Sequence, residues 1–364
     1  MLDRRPFCRT LAAGAAAGLA GWGRAAGAAP PAASPVASPV AGPERADLWV
    51  QDNNMGRAGG LPPDFQAMFT TRRDAWAEAR RFIGVYQLRS TSLRDPANDL
   101  SDAFLRDAFL PVLDAANIAL ALNVVGAMGV TCAAGKETTM AAEIAQIERI
   151  GRLGGRVAYL SLQSVLSKPT DVCPGYGRDT GYDRRIADIV HYAGALTDRF
   201  PGIRIGLVDA MVAKGWDYAP IYRQLVAGLH AKNLALAFIH LDFPAETASP
   251  GWTHALAAQR VIRDELGLRF GLLYTSNSAG LVSDEVFYRA VMAAGREFHA
   301  AGGRPDDAVV TSWHPHPARD LPETDSTGFP FMKDVLDFAR LGYVAPNPGA
   351  SAPVATPVAT PTGE

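Results

Sequence analysis

The sequence predicts an α/β fold built as a single closed (β/α)8, or TIM, barrel, and three observations carry that expectation. Apolar runs recur about every 30 to 50 residues, each followed by a segment with the helical period of about 3.6 residues, the mark of parallel strand–helix units. Eight such runs can be read, the number at which this alternation closes on itself. After the first run stands Asn53-Asn54-Met55-Gly56, which lacks the glycine-rich turn of a dinucleotide-binding open sheet.

In chain order the expected strands are 47–52, 82–88, 117–124, 156–163, 203–209, 234–242, 268–275 and 307–313. Several are apolar on both faces, as Ile118-Ala119-Leu120-Ala121-Leu122 shows, which suits a sheet covered by helices outside and filled by side chains inside. Between them lie helical stripes: Phe104, Phe109, Val112 and Leu113; then Ile144, Ile147, Ile150 and Leu153; then Ile186, Ile189, Val190, Ala193 and Leu196. Ser101 and Ser283 stand where a hydroxyl would cap the free N–H groups of a helix start. Gly154-Gly155, Pro201-Gly202, Gly267 and Gly302-Gly303 end helices ahead of strands.

The ends read differently. Asp3-Arg4-Arg5-Pro6-Phe7 followed by the weakly apolar run from Leu11 to Trp22 and the small residues Ala26-Gly27-Ala28 predicts a twin-arginine signal peptide over residues 1–28. The apolar run is too short to span a bilayer, so export to the periplasm, the cell surface or the medium is expected, with no transmembrane helix in the mature chain. Residues 29–43 and 346–364 are Ala/Pro/Val/Ser/Thr-rich and too poor in large apolar groups to repay ordering; they are expected as a disordered linker and tail flanking a barrel over 44–345.

A formal net charge of −2 with no basic cluster argues against a nucleic-acid partner. Cys8 leaves with the signal, and Cys132 and Cys173, in the loops after neighbouring strands three and four, are expected to form one disulfide outside the cell, the alternative being two buried thiols.

In such a barrel the loops after the strands form the working face, so polar strand ends are the candidates. They are Asp52 and Asn53; Tyr86 and Gln87; Asn123; Gln163; Asp209; His240 and Asp242; Tyr274 and Asn277; and Trp313, His314 and His316. Amides, acids, histidines and aromatic rings converging on one mouth suit a polyhydroxylated ligand, with Trp313, Tyr274, Tyr86 or Trp252 as stacking platforms.

The segment SWHPHPARDLPETD from Ser312 to Asp325, with His240-Leu241-Asp242 and Tyr274-Thr275-Ser276-Asn277, resembles a poorly characterised group of exported bacterial proteins related to barrel glycoside hydrolases. The resemblance implies carbohydrate as substrate or ligand, without a cofactor. It also implies an Asp-Glu-Pro-like end to strand four and a Glu-Pro-like end to strand five, where this chain has Gln163-Ser164-Val165 and Asp209-Ala210-Met211. Glycoside hydrolysis commonly uses two carboxyl groups flanking the bond. In the large barrel hydrolase clan these are glutamates after strands four and seven, where Gln163 and Asn277 stand here. Asp209 with Asp242 is the expected substitute acid/base pair, Glu323 on the last loop a movable third or a loop cap, and His240 either orients Asp242 or is a core histidine. The alternatives are a carbohydrate-binding barrel that does not cleave, and a zinc or manganese enzyme drawing on His240, Asp242, Asp209, His314 and His316.

Overall fold

A computed structural model describes residues 45–52, 60–125, 135–166, 182–210, 218–247 and 251–349. The expected signal and linker, Asn53, Cys132 and Cys173 lie outside the described residues. The strands are β1 (Asp47–Asp52), β2 (Ile83–Arg89), β3 (Ala119–Val124), β4 (Val157–Gln163), β5 (Arg204–Asp209), β6 (Phe238–Leu241), β7 (Arg269–Tyr274) and β8 (Asp307–Ser312). Each pairs in parallel with the next, and β8 returns to β1 with Trp49 opposite Val309 and Gln51 opposite Thr311, closing the barrel.

The helices are α1 (Phe65–Phe69), α2 (Ala77–Arg80), α3 (Asp102–Phe104), α4 (Leu110–Ala115), α5 (Gly135–Arg152), α6 (Asp183–Arg199), α7 (Tyr218–His230), α8 (Thr253–Arg260), α9 (Asp284–Ala300) and α10 (Phe331–Phe338). Both expected caps form: Ser101 Oγ accepts from the Phe104 N–H at 3.1 Å and Ser283 Oγ from the Val286 N–H at 3.2 Å. The α6 stripe Ile186, Ile189, Ala193 and Leu196 is buried against the sheet, each aliphatic side chain worth about 1.5–3 kcal/mol when fully removed from water.

Two boundaries differ from expectation by more than two residues. The apolar run from Leu234 does not join the ladder until Ala237, whose N–H reaches Ile205 O at 2.8 Å just ahead of β6, because Asn233 turns the chain in a left-handed conformation (φ 56°) and Leu234 still bonds back to Leu229. Apolarity there marks packing under the helices rather than strand pairing. At the other end the ordered chain runs past 345: buried Asn347 donates its amide to Ile83 O at 2.8 Å, Asn117 O at 3.0 Å and Ala116 O at 3.1 Å, tying the chain to the bottoms of β2 and β3.

Two cores result from the strand alternation. The larger lies between sheet and helices; the smaller fills the barrel with Trp49, Val85, Ala121, Val208, Phe238, Leu273 and Val309, Tyr159 packing against it. This interior membership identifies the inward face of each strand, since side chains alternate with period two. Glycine is required at two interior positions: a Cβ on Gly206 would stand 2.4 Å from the Phe238 ring, and one on Gly271 2.3 Å from the His240 ring.

Candidate functional site

Following the inward face upward from the apolar layer gives Gln51 on β1, Gln87 and then Arg89 on β2, Asn123 on β3, Ser161 and Gln163 on β4, Thr311 on β8, and Thr275 and Trp313 just past β7 and β8. These residues form the floor and walls of the mouth. Ser161 Oγ donates to Gln87 Oε1 at 2.6 Å, and Gln87 Nε2 donates to Gln51 Oε1 at 2.6 Å. The relay ends on the Gln51 amide. Thr311 is paired with Gln51 across the β1–β8 seam. The hydroxyls of Thr311 and Thr275 are sealed from solvent and have no hydrogen-bond partner among the described residues. A buried hydroxyl without a partner costs about 1–3 kcal/mol, so two on one floor are a specific investment of folding free energy.

Above the floor, Asn277 Oδ1 accepts from both Trp313 Nε1 and His314 Nε2, each at 2.9 Å. The shared acceptor fixes His314 as the Nε2–H tautomer and leaves Nδ1 as an acceptor. Burial pushes its imidazole pKa below the usual value, against the raising effect of Glu246, so the ring is neutral at pH 7. Glu246 Oε1 in turn accepts the N–H groups of Asn277 at 2.7 Å and Ser278 at 3.0 Å, holding the end of β7. Arg89, opposite Asn123 in the β2–β3 register, brings a cation into the upper mouth, and burial lowers its guanidinium pKa.

Not every expected residue arrives here. Tyr86 and Tyr274 fall on the outward alternation: Tyr86 is buried among Phe65, Phe69 and Phe109, and Tyr274 packs on Phe338 with ring centroids 4.5 Å apart. Trp252 is buried against Phe243 and Phe298. Trp313 is left as the stacking surface among the four expected. Asp52 also points outward, accepting from Tyr86 Oη at 2.7 Å.

His240 lies on the inward face but deep in the barrel and fully buried, stacked on Phe238 at 4.2 Å and edge-on to Trp49 at 4.7 Å. Its partner is Asp307, not Asp242, which places it in the barrel core rather than behind Asp242. Asp209 follows inward-facing Val208 and therefore points outward, where its carboxylate accepts from Leu166 N at 3.2 Å and Ala210 N at 3.0 Å beside Tyr222. Asp242 continues the inward face of Phe238 and His240, its N–H bonded to Asp209 O at 2.8 Å. The expected pair Asp209 and Asp242 therefore stands on opposite faces of the sheet.

Glu323 accepts from Glu78 N at 3.0 Å and Ala79 N at 2.7 Å, capping the start of α2; burial raises its pKa despite those bonds. That is the loop-capping role. His316 pairs through Nδ1 with Asp284 over the start of α9, where Asp284 also accepts the Ala318 N–H at 2.9 Å. The five residues considered as metal ligands are thus spread over the core, the helix layer and the rim. Among the described residues no group of three or more His, Cys, Asp or Glu is arranged to hold a metal ion.

Ser161 stands among the polar residues at the end of strand four, whereas Thr311 is not among the strand-end candidates; its signal is a polar residue two places before Trp313 on the same strand face.

No family model matches the sequence, and no curated protein matches it. Among solved structures, a glucosidase from Croceicoccus marinus is 11% identical, with 83% of this chain and 69% of that one covered and a TM-score of 0.51. The native xylanase10C from Cellvibrio japonicus is 12% identical, with 84% and 73% covered and a TM-score of 0.51. Both are glycoside hydrolases by name, and at these identities the likeness is one of fold.

Proposed function

We propose that the chain is a glycoside-hydrolase-like barrel that binds a neutral carbohydrate in its mouth without the standard two-carboxylate cleavage machinery. The observation that carries the reading is the rim, where the half-buried Trp313 and His314 both donate to Asn277, above a buried neutral relay from Ser161 through Gln87 to Gln51 and the unpartnered hydroxyls of Thr311 and Thr275. Sugar hydroxyls both donate and accept, so they match hydroxyl and amide groups that lack partners, while Trp313 offers an apolar face to a pyranose ring. Two of the three carboxylates considered for catalysis, Asp209 and Glu323, are committed to backbone N–H groups outside the mouth. Export by the twin-arginine route belongs to this reading, because polymeric glycans are met outside the cytoplasm; fractionation of cells producing the full chain tests it.

The deciding experiment is calorimetric titration with a panel of neutral oligosaccharides, run beside an assay for released reducing ends. Binding without release is the expected result. A second reading, hydrolysis, is favoured by one observation, the inward placement of Asp242. Release of reducing ends that disappears in Asp242→Asn would establish it in place of the first.

A further inference from the structure

We propose that Asp52 and Asp320 form a proton-holding latch that fastens the loop after β8 to the tip of β1, closed in acid and released as the pH rises. The two carboxyls belong to segments far apart in sequence. Asp52 is the last residue of β1 and 2% exposed; Asp320 lies in the loop between β8 and α10 and is 0% exposed. Tyr86 Oη donates to Asp52 Oδ2 at 2.7 Å, and Asp52 Oδ1 has no hydrogen-bond donor among the described residues. Neither oxygen of Asp320 receives one either. The hydrogen bond left to both is with each other, and it exists only if one acid carries a proton.

The surroundings leave no other way to neutralise the pair. Tyr86 faces it from β2 and Asp64 from the segment before α1, both acidic groups. No Lys, Arg or His forms a hydrogen bond or ion pair with either carboxyl among the described residues; Arg319, next in the loop, pairs with Asp325. On α10, Lys333 pairs with Asp337, and Asp334 faces Asp284, Asp337 and Lys333 rather than the pair. Burial, with the charge of Asp64, accordingly pushes Asp52 up to about 7 against the lowering hydrogen bonds of Tyr86, Asp320 and its own backbone N–H. Burial together with the charges of Asp52 and Asp64 holds Asp320 well above the ordinary range.

The loop is anchored on either side of the pair, by His316 and Ala318 to Asp284 and by Glu323 to Ala75, Glu78 and Ala79. In the turn between these anchors Asp64 accepts the N–H groups of Asp320 at 2.8 Å and Leu321 at 2.9 Å, Met332 N–H reaches Asp320 O at 3.0 Å and Phe331 N–H reaches Arg319 O at 2.9 Å. Removing the shared proton places two buried anions face to face beside Asp64, and the turn between the anchors is the member that can move away. The same loop begins with Trp313 and His314, and Gln51 immediately precedes Asp52, so the latch lies where the neighbouring tips of β1 and β8 meet at the mouth.

The test is hydrogen exchange on the full chain between pH 5 and pH 8.5, following the amides of Asp320, Leu321 and Met332 relative to those of α6 and corrected for intrinsic rates. The expected result is a relative protection that falls at least tenfold as the pH rises. In Asp320→Asn, whose amide donates to Asp52 without titrating, it should stay constant. An unchanged pH dependence in that variant, or constant protection in the parent, overturns the latch. Should Asp320→Asn fail to fold, infrared spectroscopy on the double variant Asp334→Asn, Glu323→Gln, which removes the other buried carboxyls that burial raises, replaces it. A protonated-carboxyl band persisting at pH 7 supports the shared proton, and its absence refutes it.

Discussion

His240 donates its Nε2–H to the Asp307 carboxylate, 3.1 Å away in the sealed lower half of the barrel. Asp307 also accepts from Trp49 Nε1 at 3.1 Å and pairs with Arg269, so one carboxylate collects three donors from β1, β6 and β7. Burial alone would raise its pKa, but the hydrogen bonds and charges of His240 and Arg269 outweigh that and hold it below the usual range.

Asp307→Asn should therefore lower the unfolding free energy by about 3–5 kcal/mol at pH 7, the usual cost of breaking a buried charge pair. A carboxyl depressed in the folded state contributes stability that is present above its unfolded pKa of about 3.9 and is lost as the pH falls. Urea unfolding of parent and variant at pH 7 and pH 3 checks this: the gap should narrow in acid. A gap that is equal at both values would show that Asp307 acts through packing alone.

Asp334 carries the opposite sign. It is fully buried, neither oxygen has a hydrogen-bond partner among the described residues, and burial with the charges of Asp284 and Asp337 raises its pKa far above the ordinary value. A raised carboxyl binds more protons folded than unfolded, so its contribution is greatest below about pH 4 and declines as the pH rises toward the folded pKa. Asp334→Leu should be nearly neutral at pH 5 and stabilising by about 1–2 kcal/mol at pH 8, since it removes a buried group that must otherwise hold a proton or an unpaired charge. Thermal unfolding at the two pH values decides it, and a loss of stability at pH 8 would contradict the assignment.

The fold was legible in the sequence because burial on both strand faces leaves long apolar runs, and eight of them close. The site was only half legible for the same reason. When Ile205, Leu207 and Val208 are all apolar, nothing in the pattern says whether Asp209 faces the mouth or the helices, and it faces the helices. The parity could have been taken from polar or glycine residues inside the runs. Gln87, Ser161, Gly206, His240, Gly271 and Thr311 all mark the barrel interior, because within these runs the outer face is packed mainly by apolar side chains against the helices. Tyr86, Tyr274 and Asp52 sit one residue out of that phase. What no periodicity could supply was the contact between the last loop and distant elements, such as Glu323 with α2 or Asp320 with Asp52.

Glu323 offers a separation of structure from chemistry. As the acceptor for Glu78 N and Ala79 N it replaces two otherwise bare donors at the start of α2. Glu323→Ala should cost about 1–3 kcal/mol of stability while leaving the affinity for any sugar within about twofold, since the carboxylate does not reach the mouth. Glu323→Gln should recover part of the loss, its amide oxygen still accepting one N–H. Paired measurements of unfolding and of ligand affinity test this, and a large affinity loss with intact stability would return Glu323 to the candidate site.

Thr311 is where stability and binding are expected to pull in opposite directions. Its hydroxyl is buried beside Gln51 with no partner among the described residues, so the folded protein bears a desolvation cost of about 1–3 kcal/mol that a ligand hydroxyl relieves where binding opens the floor to it. Thr311→Val keeps the branched shape that fits the strand and deletes the polar atom. The variant should be about 1 kcal/mol more stable than the parent. Its affinity for a bound carbohydrate should fall about tenfold, the equivalent of roughly 1.4 kcal/mol for one lost hydrogen bond. A purely structural threonine predicts the reverse, because removing a bonded hydroxyl lowers stability and leaves binding untouched. Thermal unfolding and calorimetry on the same preparation distinguish the two, since only a floor built to receive a ligand gains stability as it loses affinity.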